Sequence, residues 1–349
     1  MCSVKVQWGY HAPSWPDAVG TLSTCPSPEL HAVRVLSLLA LLASCRHARP
    51  TPEPHPPSTA AVPPRAGAVT AGDGVQIHYR LFGSGPHLVV INGGPGNDSD
   101  GFESLAEALG ATHTVVLYDQ RGTGASAVSS VDAQSISVAA YMADLEAIRR
   151  ALGISQWHVM GHSFGGVLAS QYVVEHPEAV SRLILSSSAG FDLSLFESDH
   201  IGPIEAQLTP EERATLHAMQ ADYRAGDHSE ELLRAHAEVL ASAYLVTDTH
   251  IPLIAGRLYR SRHDIGQLLT DDLKRMEFNA SDALAAFDRP ALIIQGAQDV
   301  MDPDIAQRAH ALLPKSELVI LDQSGHYGWL DQPEQWLSTV NTFLLAAPP

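Results

Sequence analysis

Beyond position 45 the chain has no cysteine, because Cys2, Cys25 and Cys45 are all that it contains. The rest of the chain therefore has no disulfide, thiol nucleophile or cysteine metal site, and its stability rests on packing. Basic residues are also scarce, with 21 Lys and Arg against 39 Asp and Glu and a formal net charge of -18. That balance disfavours nucleic acid and anionic lipid surfaces as partners; it suits cationic substrates and equally serves plain solubility. No run approaches the roughly 20 apolar residues that span a bilayer. Internal repeats are missing, as is the H-E-x-x-H metal pattern, and no phosphate-cradling glycine loop opens a helix. Asn92-Gly93-Gly94-Pro95-Gly96 has no following lysine, and Pro95 removes a backbone donor. No metal or organic cofactor is expected.

What is present begins with a short apolar core. Arg34 precedes Val35-Leu36-Ser37-Leu38-Leu39-Ala40-Leu41-Leu42, and Ala43-Ser44-Cys45 follows. Leu42 to Cys45 resembles a bacterial lipobox, so residues 1–45 read as a leader or lipoprotein-type signal with Cys45 as the acylated mature N-terminus. The expectation is an exported protein with a lipid anchor in the membrane; the alternative is a cytoplasmic protein with a chance apolar run. Residues 46–68, rich in Pro and Ala, read as an extended tether.

From about residue 69 short β-like runs alternate with helical ones, which predicts an α/β fold with a mostly parallel sheet flanked by helices. Strands are expected over 75–81, 87–91, 114–118, 156–160, 183–185, 291–296 and 318–321. Between 190 and 285 the segments are helical and charged, without buried strand runs. The reading is one catalytic domain, 69–189 and 286–349, interrupted by an inserted helical cap over 190–285.

The chemistry gathers at expected strand ends. Gly161-His162-Ser163-Phe164-Gly165-Gly166 lies between the apolar run 157–160 and a helical stretch, a strand-turn-helix elbow that leaves the Ser163 hydroxyl exposed. The glycines are needed because bulky side chains there would meet the adjacent strand and helix. A serine hydroxyl is a poor nucleophile near neutrality and needs a histidine base oriented by a carboxylate. Asp299 follows the strand 291–296, and His326 follows the strand 318–321, in the turn Ser324-Gly325-His326. Asp302 competes with Asp299 but also reads as a helix start before Pro303; Asp192, after strand 183–185, is a second competitor. Acyl transfer also needs preset N–H donors for the oxyanion. Phe164, at the head of the helix, is one; Gly94 is the other, with Gly93 in reserve.

Taken together, Asn92-Gly93-Gly94-Pro95-Gly96, Asp119-Gln120-Arg121-Gly122-Thr123-Gly124 and the Ser163 elbow resemble the proline iminopeptidase group of the α/β-hydrolases. That group pairs an H-G-G-P-G turn with a D-Q-R-G-x-G loop and a serine elbow. The resemblance covers roughly residues 70–190 and 290–345. It implies an α/β-hydrolase fold, Ser163 as nucleophile, His326 as base, Asp299 as orienter, and Gly94 with Phe164 as the oxyanion hole. It also implies a serine aminopeptidase that releases an N-terminal residue, often proline, from short peptides, with acidic cap residues binding the free amino group.

Two motifs depart from the group. Asn92 stands where it has histidine, and the elbow reads G-H-S-F rather than G-G-S-W. The G-H-S form is shared with esterases and lactonases, so an esterase, lactonase or amidase acting on a small neutral substrate is the alternative. A non-catalytic binding protein on a hydrolase scaffold is the remote one. Residues 190–285 hold 17 Asp and Glu against 8 Lys and Arg. Such a cap suits an amine, and Glu205, Glu230 and Glu231 are its candidate ligands.

Overall fold

The computed structural model describes residues 64–196 and 201–347. Cys45, the rest of the leader and the tether up to residue 63 lie outside them. The chain opens with β1 (Arg65–Thr70), β2 (Gln76–Phe82) and β3 (His87–Ile91), then alternates through α1 (Glu103–Leu109), β4 (Thr114–Tyr118), α2 (Val138–Ala151), β5 (Trp157–His162), α3 (Phe164–Glu175) and β6 (Val180–Ser186). A run of helices follows: α4 (Leu193–Phe196), α5 (Ile201–Gln207), α6 (Pro210–Arg224), α7 (Glu230–Ala243), α8 (Ile251–Arg260), α9 (His263–Arg275) and α10 (Ser281–Ala286). The sheet resumes with β7 (Ala291–Gly296), and α11 (Pro303–Leu312), β8 (Ser316–Leu321), α12 (Gly328–Asp331) and α13 (Pro333–Leu345) complete the order.

The strands form one eight-stranded sheet in the order β1-β2-β4-β3-β5-β6-β7-β8. The two pairings made by β2 are antiparallel and the others parallel. Strands β4 and β7 are buried at every position, as expected where helices cover both faces of a parallel sheet. Alternate residues of β3 feed two cores: Val89 and Ile91 pack with α2 and α3 on one face, and Leu88 and Val90 with α1 and α13 on the other. The chain passes from β4 to β5 across β3, so the sheet reverses its winding there, and such a switch point opens a crevice at the carboxyl ends of the strands. Register then matters. Ile91 pairs with Gly161, which sets the turn after β3 directly beside the turn after β5.

One expectation needs correction. The tether was expected to run to residue 68, yet β1 begins at Arg65. Its burial is slight, and it is a strand because it pairs along its length with β2, with the Tyr79 ring lying over Gly67. The segment between β6 and β7 is helical throughout, apart from its turns. It is tied at its base by a backbone bridge between Asp192 and Asn279, and Ile265, Leu269 and Leu273 of α9 are wholly buried in the same core as β3.

The loop after β4 is anchored by a buried ion pair. Arg121 donates Nε and Nη2 to the two carboxylate oxygens of Asp144 on α2 at 2.8 and 2.6 Å, and both side chains are 1% exposed. Arg121 Nη1 also reaches Asp73, and Tyr141 donates its hydroxyl to the Arg121 carbonyl. Removing Asp144 takes away the buried two-oxygen partner and leaves the buried Arg121 charge only the exposed Asp73. Asp144→Asn is therefore expected to lower unfolding stability by about 3 kcal/mol, read from urea midpoints; an unchanged midpoint contradicts the anchoring role.

Candidate active site

Ser163 sits between the last residue of β5 and the first of α3, with φ 56° and ψ -125°. A serine rarely adopts that region, and such a residue persists only where its surroundings over-determine it. Here its N–H donates to the Ser186 carbonyl at 3.0 Å, and its carbonyl accepts from Gly166 and Ala189. The glycines of the elbow are required by space: a methyl on Gly165 would strike the Ile91 carbonyl, and one on Gly161 would come within 2.7 Å of Ala169 Cβ. Ser163 itself is half-buried while the residues on either side of it are buried. The elbow thus leaves one side chain partly exposed between buried neighbours.

Asp299 and His326 meet. Asp299 Oδ1 lies 2.7 Å from His326 Nδ1, and the two side chains are 1% and 2% exposed. A carboxylate accepting from Nδ1–H leaves Nε2 as the ring's acceptor, which is the tautomer a base requires. The competing acids are occupied otherwise. Asp192 accepts from Ser194 and the Leu195 N–H at the head of α4, and Asp302 accepts from the Asp304 N–H as the cap of α11. Among the described residues no hydrogen bond joins Ser163 to His326; the ring of His162, the residue before the serine, lies 4.6 Å from the His326 ring, so the β5 elbow and the turn after β8 meet through their histidines. His162 is buried against Phe102, Tyr327 and Trp329. Burial pushes its pKa well below the usual histidine value, and the nearby His326 and Arg257 push the same way, so it stays neutral.

The turn after β3 faces the serine. A methyl on Gly93 would lie 2.7 Å from Ser163 Cβ and 3.2 Å from its Oγ, so Gly93, the reserve candidate, is the turn residue in contact with Ser163. The next peptide carries the Gly94 N–H, and Phe164 is buried at the start of α3. Asn92, in place of the histidine of the resembling group, is fully buried and gives its side-chain amide to the carbonyls of Gly93, Asn97 and Asp98 at 2.9, 3.0 and 3.1 Å. An amide here therefore ties the turn together.

Sequence reasoning missed the grip that the insertion exerts. The His326 N–H donates to the Tyr244 carbonyl, past α7, and the Tyr244 ring stands edge-on to His326 at 5.3 Å. Asp331 on α12 accepts from the Gly325 N–H at 2.8 Å and from Val246, Thr247 N–H and the Thr247 hydroxyl. Gln207 of α5 donates to the Asp299 carbonyl at 3.3 Å. No local pattern signals these contacts, because each joins segments far apart in the chain. Of the candidate amine ligands, Glu205 is half-buried and pairs with His217 at 3.1 Å. Glu230 is exposed and held by Arg234 at 2.7 Å, and Glu231 is exposed in the same helical turn. Among the described residues no group of three or more His, Cys, Asp or Glu is arranged for a metal ion, and no helix is long and apolar enough to cross a membrane.

Gly93→Ala forces a methyl against Ser163 and is expected to slow covalent capture of that serine by a fluorophosphonate about 100-fold, with unchanged far-ultraviolet circular dichroism. Capture at the wild-type rate would show that Gly93 does not crowd the serine.

Comparison with known proteins agrees with this architecture. The family model described as alpha/beta hydrolase fold matches residues 86–333. A proline iminopeptidase of Clostridioides difficile (strain 630) is 27% identical over 285 residues, covering 78% of this chain and 96% of the relative. Among solved structures, a proline iminopeptidase of Mycobacterium smegmatis superposes with a TM-score of 0.60 at 22% identity, over 80% of this chain and 97% of the other. The esterase RhEst1 from Rhodococcus sp. ECU1013 does so with a TM-score of 0.62 at 23% identity, over 80% and 98%. The resemblance to proline iminopeptidases read from the three motifs is thus borne out, and with its sheet order, elbow and family match the chain belongs to the α/β-hydrolase fold family.

Proposed function

We propose that this hydrolase works through Ser163, His326 and Asp299 by way of an acyl-enzyme, releasing an N-terminal residue of proline type from short peptides. The observation that carries the triad is the buried Asp299–His326 contact of 2.7 Å, in a turn that meets the elbow of the strained Ser163 through the His162 and His326 rings. Ser163 Oγ attacks the carbonyl of the first residue while His326 Nε2 takes its proton. Negative charge gathers on the former carbonyl oxygen and is met by the N–H groups of Gly94 and Phe164. Collapse breaks the C–N bond, and the leaving amine takes the proton from His326. Water then gives a proton to His326 and its oxygen to the acyl carbon, the bond from that carbon to Ser163 Oγ breaks as His326 returns the proton to Oγ, and the residue leaves as a free acid.

The aminopeptidase reading is supported by the three loop motifs, by curated relatives that carry the name proline iminopeptidase, and by an insertion rich in carboxylates. Glu205, the half-buried candidate, lies two residues before Gln207, whose side chain touches the Asp299 loop. One observation favours the second reading, an esterase, lactonase or amidase for a small neutral substrate: Glu230 and Glu231 face solvent, and Glu230 already has Arg234.

A free α-amine separates the two. Prolyl-aminomethylcoumarin is expected to be hydrolysed at least about 100-fold faster than its N-acetylated twin, with activity lost in Ser163→Ala, because blocking the amine removes a charged anchor. Equal rates for both substrates, or turnover of simple esters alone, would sink the aminopeptidase reading and leave the triad standing.

A further inference from the structure

We infer that Arg257, on the inserted helix α8, is a positioning residue for the oxyanion turn and acts through Asn92. The inference rests on the serine-hydrolase reading given above.

Arg257 is 2% exposed and stands with its guanidinium 4.8 Å above the ring of Phe102. Its neighbour Arg260 takes the carboxylates of Asp98 and Asp100 at 3.5 and 3.6 Å. Arg257 instead donates Nη1 to main-chain carbonyls, to Asp98 at 3.2 Å and to Asp100. Gly101, at φ +87°, packs on its stem, where a methyl would come within 2.9 Å of Cδ. An apolar side chain would fill such a site with less desolvation. What the guanidinium adds is a rigid donor aimed at the 98–101 backbone.

That backbone leads to the nucleophile. The Asp98 carbonyl accepts from Arg257 on one side and from Asn92 Nδ2, at 3.1 Å, on the other. The same Asn92 amide donates to the Gly93 carbonyl at 2.9 Å. In a trans peptide the C=O of one residue and the N–H of the next point in opposite directions. A donor that fixes the Gly93 carbonyl therefore also fixes the direction of the Gly94 N–H. This peptide adjoins Ser163, since a methyl on Gly93 would be 3.2 Å from its Oγ. A second grip lies nearby, where the Arg262 N–H donates to the Gly96 carbonyl at 2.9 Å. Arg257, the Asp98 carbonyl and Asn92 thus form a route from the insertion to the oxyanion turn that is separate from the Tyr244 contact with His326. Removing Arg257 leaves the Asp98 carbonyl to Asn92 alone and lets the Gly93–Gly94 peptide turn away from the developing charge.

The test compares the wild type with Arg257→Met, Arg257→Lys, Asn92→Leu and the double variant Arg257→Met/Asn92→Leu. The second-order rate of fluorophosphonate labelling, its pH dependence and the thermal midpoint are measured for each. Arg257→Met is expected to be labelled about 10- to 100-fold more slowly, less than the loss of a whole oxyanion donor, with Arg257→Lys intermediate because it keeps the charge and loses the planar fork. The pH dependence should keep its wild-type midpoint, since the base is untouched. Because both residues act through one carbonyl, the double variant should be no slower than Asn92→Leu. If Arg257→Met does not fold, the slowing of Arg257→Lys relative to wild type carries the comparison. Wild-type labelling of the Arg257 variants, a shifted pH midpoint, or losses that multiply in the double variant overturn the inference alone. A wild-type protein that resists labelling overturns the reading of Ser163 and this inference with it.

Discussion

Holding a serine at φ 56° costs on the order of 1–3 kcal/mol, and the surrounding fold is arranged to impose it. Three backbone hydrogen bonds clamp Ser163, one to the end of β6 and two to its own carbonyl. Helix α3 can start only one residue later because Gly165 lets it approach the Ile91 carbonyl without a side chain between them. The register of β3 against β5 then determines which turn faces the serine, because pairing Ile91 with Gly161 brings Gly93 to it. A sheet wound outward in one direction would leave that position to another helix. The winding reversal at β3 is what leaves a crevice there.

The insertion between β6 and β7 is built into this crevice. It contributes to the core through α9, meets the His326 turn through Tyr244 and the Asp331 contacts, meets the Asp299 loop through Gln207, and meets the backbone of residues 96–100 through Arg257 and Arg262. Most of these contacts involve backbone groups, which fixes loop paths independently of the side chain presented to a substrate. An insertion held in this manner is expected to set geometry as well as to cover the site. Ser163, Asp299 and His326 all lie at ends of sheet strands, while the contacts that hold their loops come partly from inserted helices.

Much of this was legible in the sequence because it is local. The elbow is a glycine pattern across one turn, and the order serine, aspartate, histidine follows from strands whose apolar runs are unmistakable. The cap role of Asp302 was legible from the Pro303 that follows it, whereas that of Asp192 was not, since it follows a strand as Asp299 does and only its bonding to α4 separates them. Strand β1 escaped because a marginal, half-exposed edge strand owes its conformation to its partner more than to its own residues. The part played by Asn92 was hidden behind its departure from histidine: its two amide protons reach three carbonyls only because the chain folds back over residues 93–98. Arg257 and Asp331 act across long separations, and neither lies in a recognisable pattern.

The claim on which the rest turns is that the strained serine is the nucleophile and that the Asp299–His326 pair activates it. Peptide mapping after reaction with a fluorophosphonate tests it directly. A single adduct on the peptide containing Ser163, formed far more slowly in His326→Ala and Asp299→Asn than in the wild type, is the expected result. An adduct on another residue, or labelling that proceeds equally well without His326, would contradict it.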